Sequence, residues 1–100
     1  MHVNPFLLQG LAYCRVTAAT GAATTARNCA TARTGAGVYT VTIDYACDEE
    51  GCIVLFESQT AACDDVPAVT HTSDTVKQIE TFDGGVATDC DFAAIVLKCV

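Results

Sequence analysis

The chain has 100 residues, of which 51% are hydrophobic and only 17% charged, and its mean hydropathy is +0.34. This composition predicts a single small folded domain and excludes global disorder, which requires low hydrophobicity and high charge. The net charge of −7 argues against nucleic-acid binding, because phosphate contacts need clustered lysines and arginines. No apolar run is long enough to predict a membrane-spanning helix.

The charges are unevenly distributed along the chain. Residues 1–43 contain three arginines and no carboxylate, whereas residues 44–100 contain all twelve carboxylates and two lysines. The first part therefore has a formal charge of +3 and the second part −10. This asymmetry is consistent with a basic surface that meets an acidic partner, and equally with uneven sampling in a short chain.

The N-terminal residues 1–11 predict an extended arm that precedes a domain of residues 12–100. Pro5 fixes its own φ and cannot donate a backbone hydrogen bond, which favours extended or turn backbone. Phe6, Leu7 and Leu8 follow it with few neighbours in sequence that would build a core. Such an arm packs under its own sheet or against a neighbouring protein.

Short strands are predicted through the rest of the chain. They cover residues 13–17, 28–33, 38–45, 53–56, 68–72, 76–82 and 93–100, and residues 18–25 are predicted to form a loop or an extended segment. The clearest strand is 38–45, where an apolar face with two tyrosines alternates with a threonine-rich face. The apolar runs 53–56 and 93–100 predict burial on both faces. The expected fold is an all-β domain, a small antiparallel β-sandwich or barrel of about seven short strands.

Seven cysteines are a high count for 100 residues and would ordinarily indicate a disulfide-rich secreted domain. The odd number leaves at least one thiol free or paired between chains, and residues 1–13 lack the features of a signal peptide. Cys47 and Cys52 flank an acidic turn, so a local disulfide between them is predicted. A zinc site is the alternative, although neither the cysteines nor the two histidines have the usual ligand spacing.

Acidic clusters are the obvious candidates for catalysis or metal binding. They lie at 48–50, at 64–65 and around the glycine pair, where Asp83, Asp89 and Asp91 depart from the spacing of a calcium loop. Such clusters on turns are typical of a solvated rim, and no nucleophile motif accompanies them. The sequence therefore predicts no catalytic residue, no cofactor and no metal.

Four segments resemble small β-structured modules of tailed-phage virions, which include head decoration proteins and the tips of head and tail fibres. These segments are residues 12–16, 33–42, 77–83 and 87–96, and the turn-and-strand RTGAGVYTVT and the late strand TDCDFAAIV are their most recognisable parts. The seven cysteines depart from the pattern of such modules. The resemblance implies a non-enzymatic homotrimer on the outer capsid surface, assembled in the host cytoplasm and bound to the major capsid protein, without nucleic acid or membrane.

Two sets of residues are expected to make contacts in such a particle. Burial of apolar arm residues would hold the domain to the shell, and a strand that is apolar on both sides would need a second copy to cover it. The predicted capsid-docking residues are Val3, Pro5, Phe6, Leu7, Leu8 and Arg15, and the predicted oligomer interface is Ile95, Leu97 and Val100.

Three other functions remain open from the sequence. A receptor- or glycan-binding module of a phage fibre would use the loops near residues 47–52 and 64–67. A secreted, cysteine-stapled inhibitor or toxin would contain three disulfides. An enzyme is the remaining class.

Overall fold

The computed structural model describes residues 8–63 and 65–99 and contains ten strands within them. The strands are β1 (Leu8–Val16), β2 (Ala23–Arg27), β3 (Cys29–Gly35), β4 (Val38–Ile43), β5 (Cys52–Ser58), β6 (Ala68–His71), β7 (Val76–Glu80), β8 (Phe82–Asp83), β9 (Val86–Ala87) and β10 (Phe92–Cys99). The prediction of an all-β chain is confirmed. The predicted number of about seven strands is too low, because the β8–β9 hairpin was not expected and the region of β2 was predicted as a loop or an extended segment. In the part of the chain that the structure covers, no helix is long and apolar enough to cross a bilayer.

The strands form two four-stranded antiparallel sheets and one short hairpin. The first sheet has the order β2-β1-β10-β5 and the second has the order β3-β4-β7-β6, while β8 pairs only with β9. The turn between β3 and β4 contains Gly37, whose φ of 68° lies in the left-handed region. This conformation favours glycine, and it lets β4 fold directly back on β3.

One cluster of buried side chains contains residues of both four-stranded sheets. Phe92 of β10 lies at its centre, with its ring 5.2 Å edge-on from Tyr39 of β4 and 5.3 Å from the stacked ring of Phe56 of β5. The Tyr39 hydroxyl is 2.9 Å from the carbonyl oxygen of Ala18, so this buried polar group is satisfied. The alternation predicted for 38–45 places Tyr39, Val41 and the following isoleucine in this core.

The boundary predicted between arm and domain falls inside a strand. Residues 8–11 belong to β1, where Leu11 pairs with Leu97 of β10. Residues 1–7, which form the rest of the predicted arm, lie outside the described residues. The sheet therefore begins earlier in the chain than the composition of the arm suggested.

Two disulfides are present in the described residues, one across a local turn and one between two distant loops. Cys47 and Cys52 are joined across the turn before β5, with their Cα atoms 5.5 Å apart. Cys63 and Cys90 join two loops, with a Cα separation of 6.1 Å. The sequence did not single out this second pair, because its members are 27 residues apart.

Two further cysteines are reduced and lie in contact between the sheets. Cys14 of β1 is buried, and Cys29 of β3 is half-buried beside it. Burial, reinforced by the neighbouring thiol, raises the pKa of Cys14 to about 12. Burial also raises the pKa of Cys29. Both thiols are therefore protonated at neutral pH and pack as small apolar groups.

Candidate functional site

The most prominent surface feature is the outer face of the sheet β2-β1-β10-β5, the side turned away from the buried cluster. Registered residues of neighbouring antiparallel strands point to the same side of a sheet, so the pairing defines three rows across β1, β10 and β5. The rows are Leu11, Leu97 and Ile53; Tyr13, Ile95 and Leu55; and Arg15, Ala93 and Glu57. We call these nine residues the outer face.

Two of the three rows are entirely apolar or aromatic and are open to solvent. Leu11 is 45% exposed, Ile53 46% and Leu55 51%. Tyr13 and Ile95 between them are half-buried. Single exposed apolar residues are normal on a protein surface, but a contiguous set on one flat face is typical of an interaction site.

The alternation of β10 explains how one strand serves both the core and this face. Phe92, Ala94 and Val96 point inward and are buried. Ile95 and Leu97 point outward and remain half-exposed. The predicted interface residues Ile95 and Leu97 thus lie side by side on the outer face, whereas Val100, also predicted there, lies outside the described residues.

The expectation that residues 53–56 are buried on both faces is wrong. β5 is an edge strand of its sheet, and no element of the described chain covers its outer side. Ile53 and Leu55 are therefore exposed although they belong to a continuous apolar run. The run holds only four apolar residues and is followed by Glu57, which points to the same side of the strand as Ile53 and Leu55. This charged residue indicates that the side faces solvent.

The third row carries opposite charges on opposite sides of β10. Arg15 on β1 and Glu57 on β5 flank Ala93, which is only 9% exposed. The Nε of Arg15 donates to the side-chain oxygen of Gln59, the residue after β5, so the Arg15 side chain reaches across β10. A groove of about 370 Å³ opens between the charged row and the apolar row of Tyr13.

The positive side of the outer face extends one strand further. Arg27 of β2 pairs in register with Tyr13 and is exposed. The β1–β2 side therefore carries two arginines, and the β5 side carries one glutamate. By the strands that carry them, the positive residues belong to the β1–β2 side and the negative residue to the β5 side.

The residues predicted for capsid docking do not form one described site. Val3, Pro5, Phe6 and Leu7 lie outside the described residues, and Leu8 is the first residue of β1. Arg15 lies on the outer face with Ile95, so the two predicted sets meet there. The sequence analysis missed Leu11, Tyr13, Ile53, Leu55 and Glu57, which a strict reading of alternation through residues 8–16 and 52–58 could have found.

The acidic clusters hold backbone turns instead of gathering at one site. Oδ1 of Asp48 accepts a hydrogen bond of 2.7 Å from the Gly51 amide, and Oδ1 of Asp91 accepts one of 2.7 Å from the Ala18 amide. Across residues 8–63 and 65–99, no three side chains of the metal-binding types lie close enough together to share an ion. The candidate calcium set of Asp83, Asp89 and Asp91 is accordingly not assembled there.

Asp89 is the most heavily engaged of these carboxylates. Its Oδ1 accepts hydrogen bonds from Arg33 Nε at 3.0 Å, from the Gly37 amide at 2.8 Å and from the Tyr39 hydroxyl at 3.0 Å. The bond from the Arg33 guanidinium, followed by that from the Gly37 amide, lowers the pKa of Asp89. This carboxylate ties the loop before β10 to the β3–β4 hairpin.

The buried Lys77 is held by hydrogen bonds to two backbone carbonyl groups. Its Nζ donates to the carbonyl oxygen of Cys47 at 2.5 Å and to that of Ser73 at 2.8 Å. Burial lowers the pKa of Lys77, opposed by the nearby carboxylates of Asp74 and Asp48. The ammonium group thus fixes the loop that carries the Cys47–Cys52 disulfide.

The chain was compared with protein-family models, with curated proteins and with solved structures, and none of them matches it. The resemblance to virion modules of tailed phages therefore stays a prediction. The outer face, described from this chain alone, is the feature that indicates a function.

Proposed function

We propose that this chain is a non-enzymatic structural module that self-associates and decorates a larger protein shell, as the head decoration proteins of tailed phages do. In this proposal the two four-stranded sheets are the layers of a small β-sandwich. The outer face supplies the contact between copies, which we expect to form a homotrimer. The N-terminal segment supplies the contact with the major capsid protein.

The observation that carries the proposal is the exposure of the apolar rows on the outer face. Leu11, Ile53 and Leu55 each leave about half of their side chain in water. Burial of a large aliphatic side chain is worth roughly 1.5–3 kcal/mol before ordering costs, so covering these rows favours association. A second copy provides an apolar surface of the same size.

The net charge is compatible with a protein displayed in many copies. At −7 per chain, the parts of the surface outside the contact repel one another and oppose uncontrolled aggregation. The outer face carries one arginine and one glutamate, and Arg27 lies beside it on β2, so this region is less acidic than the chain as a whole. Copies can therefore approach one another through this face at lower electrostatic cost.

The first test is the solution mass of the chain and of the variant Leu55→Asp, measured by analytical ultracentrifugation. We expect the native chain to form an oligomer and Leu55→Asp to raise its dissociation constant at least tenfold, because a carboxylate would be desolvated in the contact. Val86→Asp is the matched control, since Val86 is 65% exposed on β9, away from the outer face. A native chain that stays monomeric at millimolar concentration would refute the proposal.

The shell contact has a separate test. Deletion of residues 1–7 leaves β1 intact, whereas deletion of residues 1–11 would also remove Leu11 from the outer face. We expect the shorter deletion to keep the circular dichroism spectrum and the oligomer mass but to lose co-sedimentation with assembled capsids. Capsid binding that survives this deletion would count against docking through the arm.

A further inference from the structure

The outer face carries a positive residue on one flanking strand and a negative residue on the other, and this asymmetry restricts how two copies can pack. Arg15 and Glu57 lie in one row on either side of β10, two strand spacings or about 10 Å apart. Within residues 8–63 and 65–99 the one ion pair joins Arg33 to Asp89, so neither Arg15 nor Glu57 has an oppositely charged partner there. Arg15 is bonded there only to the neutral side chain of exposed Gln59, so a neighbouring molecule that offers a carboxylate can compete for its guanidinium.

A symmetry axis parallel to β10 brings these two charges together between copies. Rotation about such an axis, running just outside the outer face, lays the β1 side of one copy against the β5 side of the next. Arg15 then meets the glutamate of the neighbour, and Leu11 meets the neighbour's Ile53. Around a threefold axis of this direction the β1 side of each copy also meets the β5 side of the next, but each copy then contacts two neighbours instead of one.

An axis perpendicular to the strands gives a poorer contact. It reverses the order of the rows, so that the charged row of one copy lies against the apolar row of Leu11 in the other. Arg15 and Glu57 would then be desolvated without an oppositely charged partner, which is costly. Charge complementarity therefore favours the parallel axis.

We propose that copies of this chain pack through the outer face about an axis parallel to β10, with Arg15 of each copy paired to Glu57 of the next. The inference rests on the self-association in the proposed function and adds to it a defined orientation. The apolar rows form the centre of the contact, and the charged row fixes its register at one end.

The experiment exchanges the two charges. Arg15→Glu and Glu57→Arg each place like charges together, so each variant is expected to raise the dissociation constant at least tenfold. Mixing the two variant chains restores opposite charges at both contacts of a twofold pair, and we expect the mixture to associate within about threefold of the native affinity. In a three-membered ring one like-charged contact remains, so the mixture recovers only part of the affinity.

The matched control is Arg27→Glu, which changes the net charge as much as Arg15→Glu does but lies on β2, opposite no carboxylate in this arrangement. Arg27→Glu alone should keep the native affinity, and its pairing with Glu57→Arg should restore only one of the two opposite-charge contacts. The proposed orientation would be overturned if both mixtures regained the same affinity, or if neither regained any. Self-association would still stand in that case, provided that the native chain forms an oligomer. A monomeric native chain would instead refute the proposed function, and circular dichroism verifies that each variant folds.

Discussion

Asp89 holds the loop before β10 against the β3–β4 hairpin through one carboxylate oxygen. That oxygen accepts from the Arg33 guanidinium, from a backbone amide and from the buried Tyr39 hydroxyl. Hydrogen bonds to a charged acceptor are stronger than those between neutral groups. The side chain thus stabilises the fold although about a third of its own surface faces solvent.

The lowered pKa of Asp89 predicts a pH-dependent contribution to stability. Because the folded state binds the proton less readily than the unfolded state, the contribution is complete above the ordinary pKa of 3.8 and is lost as the pH falls through the lower folded value. We expect Asp89→Asn to lower the free energy of unfolding by about 1–2 kcal/mol at pH 7. Its difference from the native chain should shrink below pH 4.

Urea unfolding at pH 7, 5 and 3 measures this effect in both proteins. Asp83→Asn is the control, because Asp83 is an exposed carboxylate on the β8–β9 hairpin. This control should stay within about 0.5 kcal/mol of the native chain at every pH. A constant difference between Asp89→Asn and the native chain down to pH 3 would show that the carboxylate charge is not what stabilises the contact.

At the scale of elements, the hairpin of β3 and β4 depends on a glycine that no other residue replaces easily. Gly37 has φ of 68°, and a Cβ built there would lie 2.6 Å from the Thr88 amide nitrogen and 2.8 Å from the Thr81 carbonyl oxygen. Both neighbours are backbone atoms, which cannot rotate away. The hairpin is therefore fixed against the β8–β9 segment as well as within its own sheet.

Replacement of this glycine is expected to be expensive. Gly37→Ala combines left-handed strain with a backbone clash, so we expect a loss of about 2–3 kcal/mol in unfolding free energy by urea titration. Gly35→Ala is the matched control two residues away, since nothing lies within 4 Å of its added Cβ and its φ is not positive. The prediction is wrong if the two alanine variants unfold at the same urea concentration.

Alternation of apolar and polar residues along the chain predicted the strands that have one face on the core and the other in solvent. Residues 38–45 were readable because Tyr39 and Val41 face the core while Thr42 faces solvent. The region of β2 was predicted only as a loop or an extended segment because its alanines and threonines show no alternation of hydrophobicity, and its strand depends on pairing with β1. Local pattern cannot reveal a strand that a partner distant in sequence imposes.

The candidate site was predictable only in part for a related reason. The apolar outward residues Ile95 and Leu97 were found because their strand is apolar on both sides. Their neighbours on β1 and β5 join them only through sheet order, which the sequence left undetermined. The pairing of Cys63 with Cys90 likewise required the three-dimensional arrangement of two loops.

At the scale of the whole molecule, the outer face and the net charge oppose each other. Burial of Leu55 and its apolar neighbours would favour association, and the proposed Arg15–Glu57 contacts would add a local attraction. Each copy nevertheless brings seven net negative charges, most of them outside the contact. Long-range repulsion between whole copies is therefore expected to exceed the attraction between a few charge pairs.

This balance predicts that added salt strengthens self-association. Raising NaCl from 20 to 200 mM shortens the screening length from roughly 20 Å to below 10 Å, which suppresses repulsion across the molecule more than it weakens charges in direct contact. We expect the dissociation constant to fall roughly tenfold, as measured by analytical ultracentrifugation. Sucrose at equal osmolality should have little effect, because it screens no charge. A dissociation constant that rises with salt would instead show that ion pairs in the contact, and not its apolar rows, supply most of the binding energy.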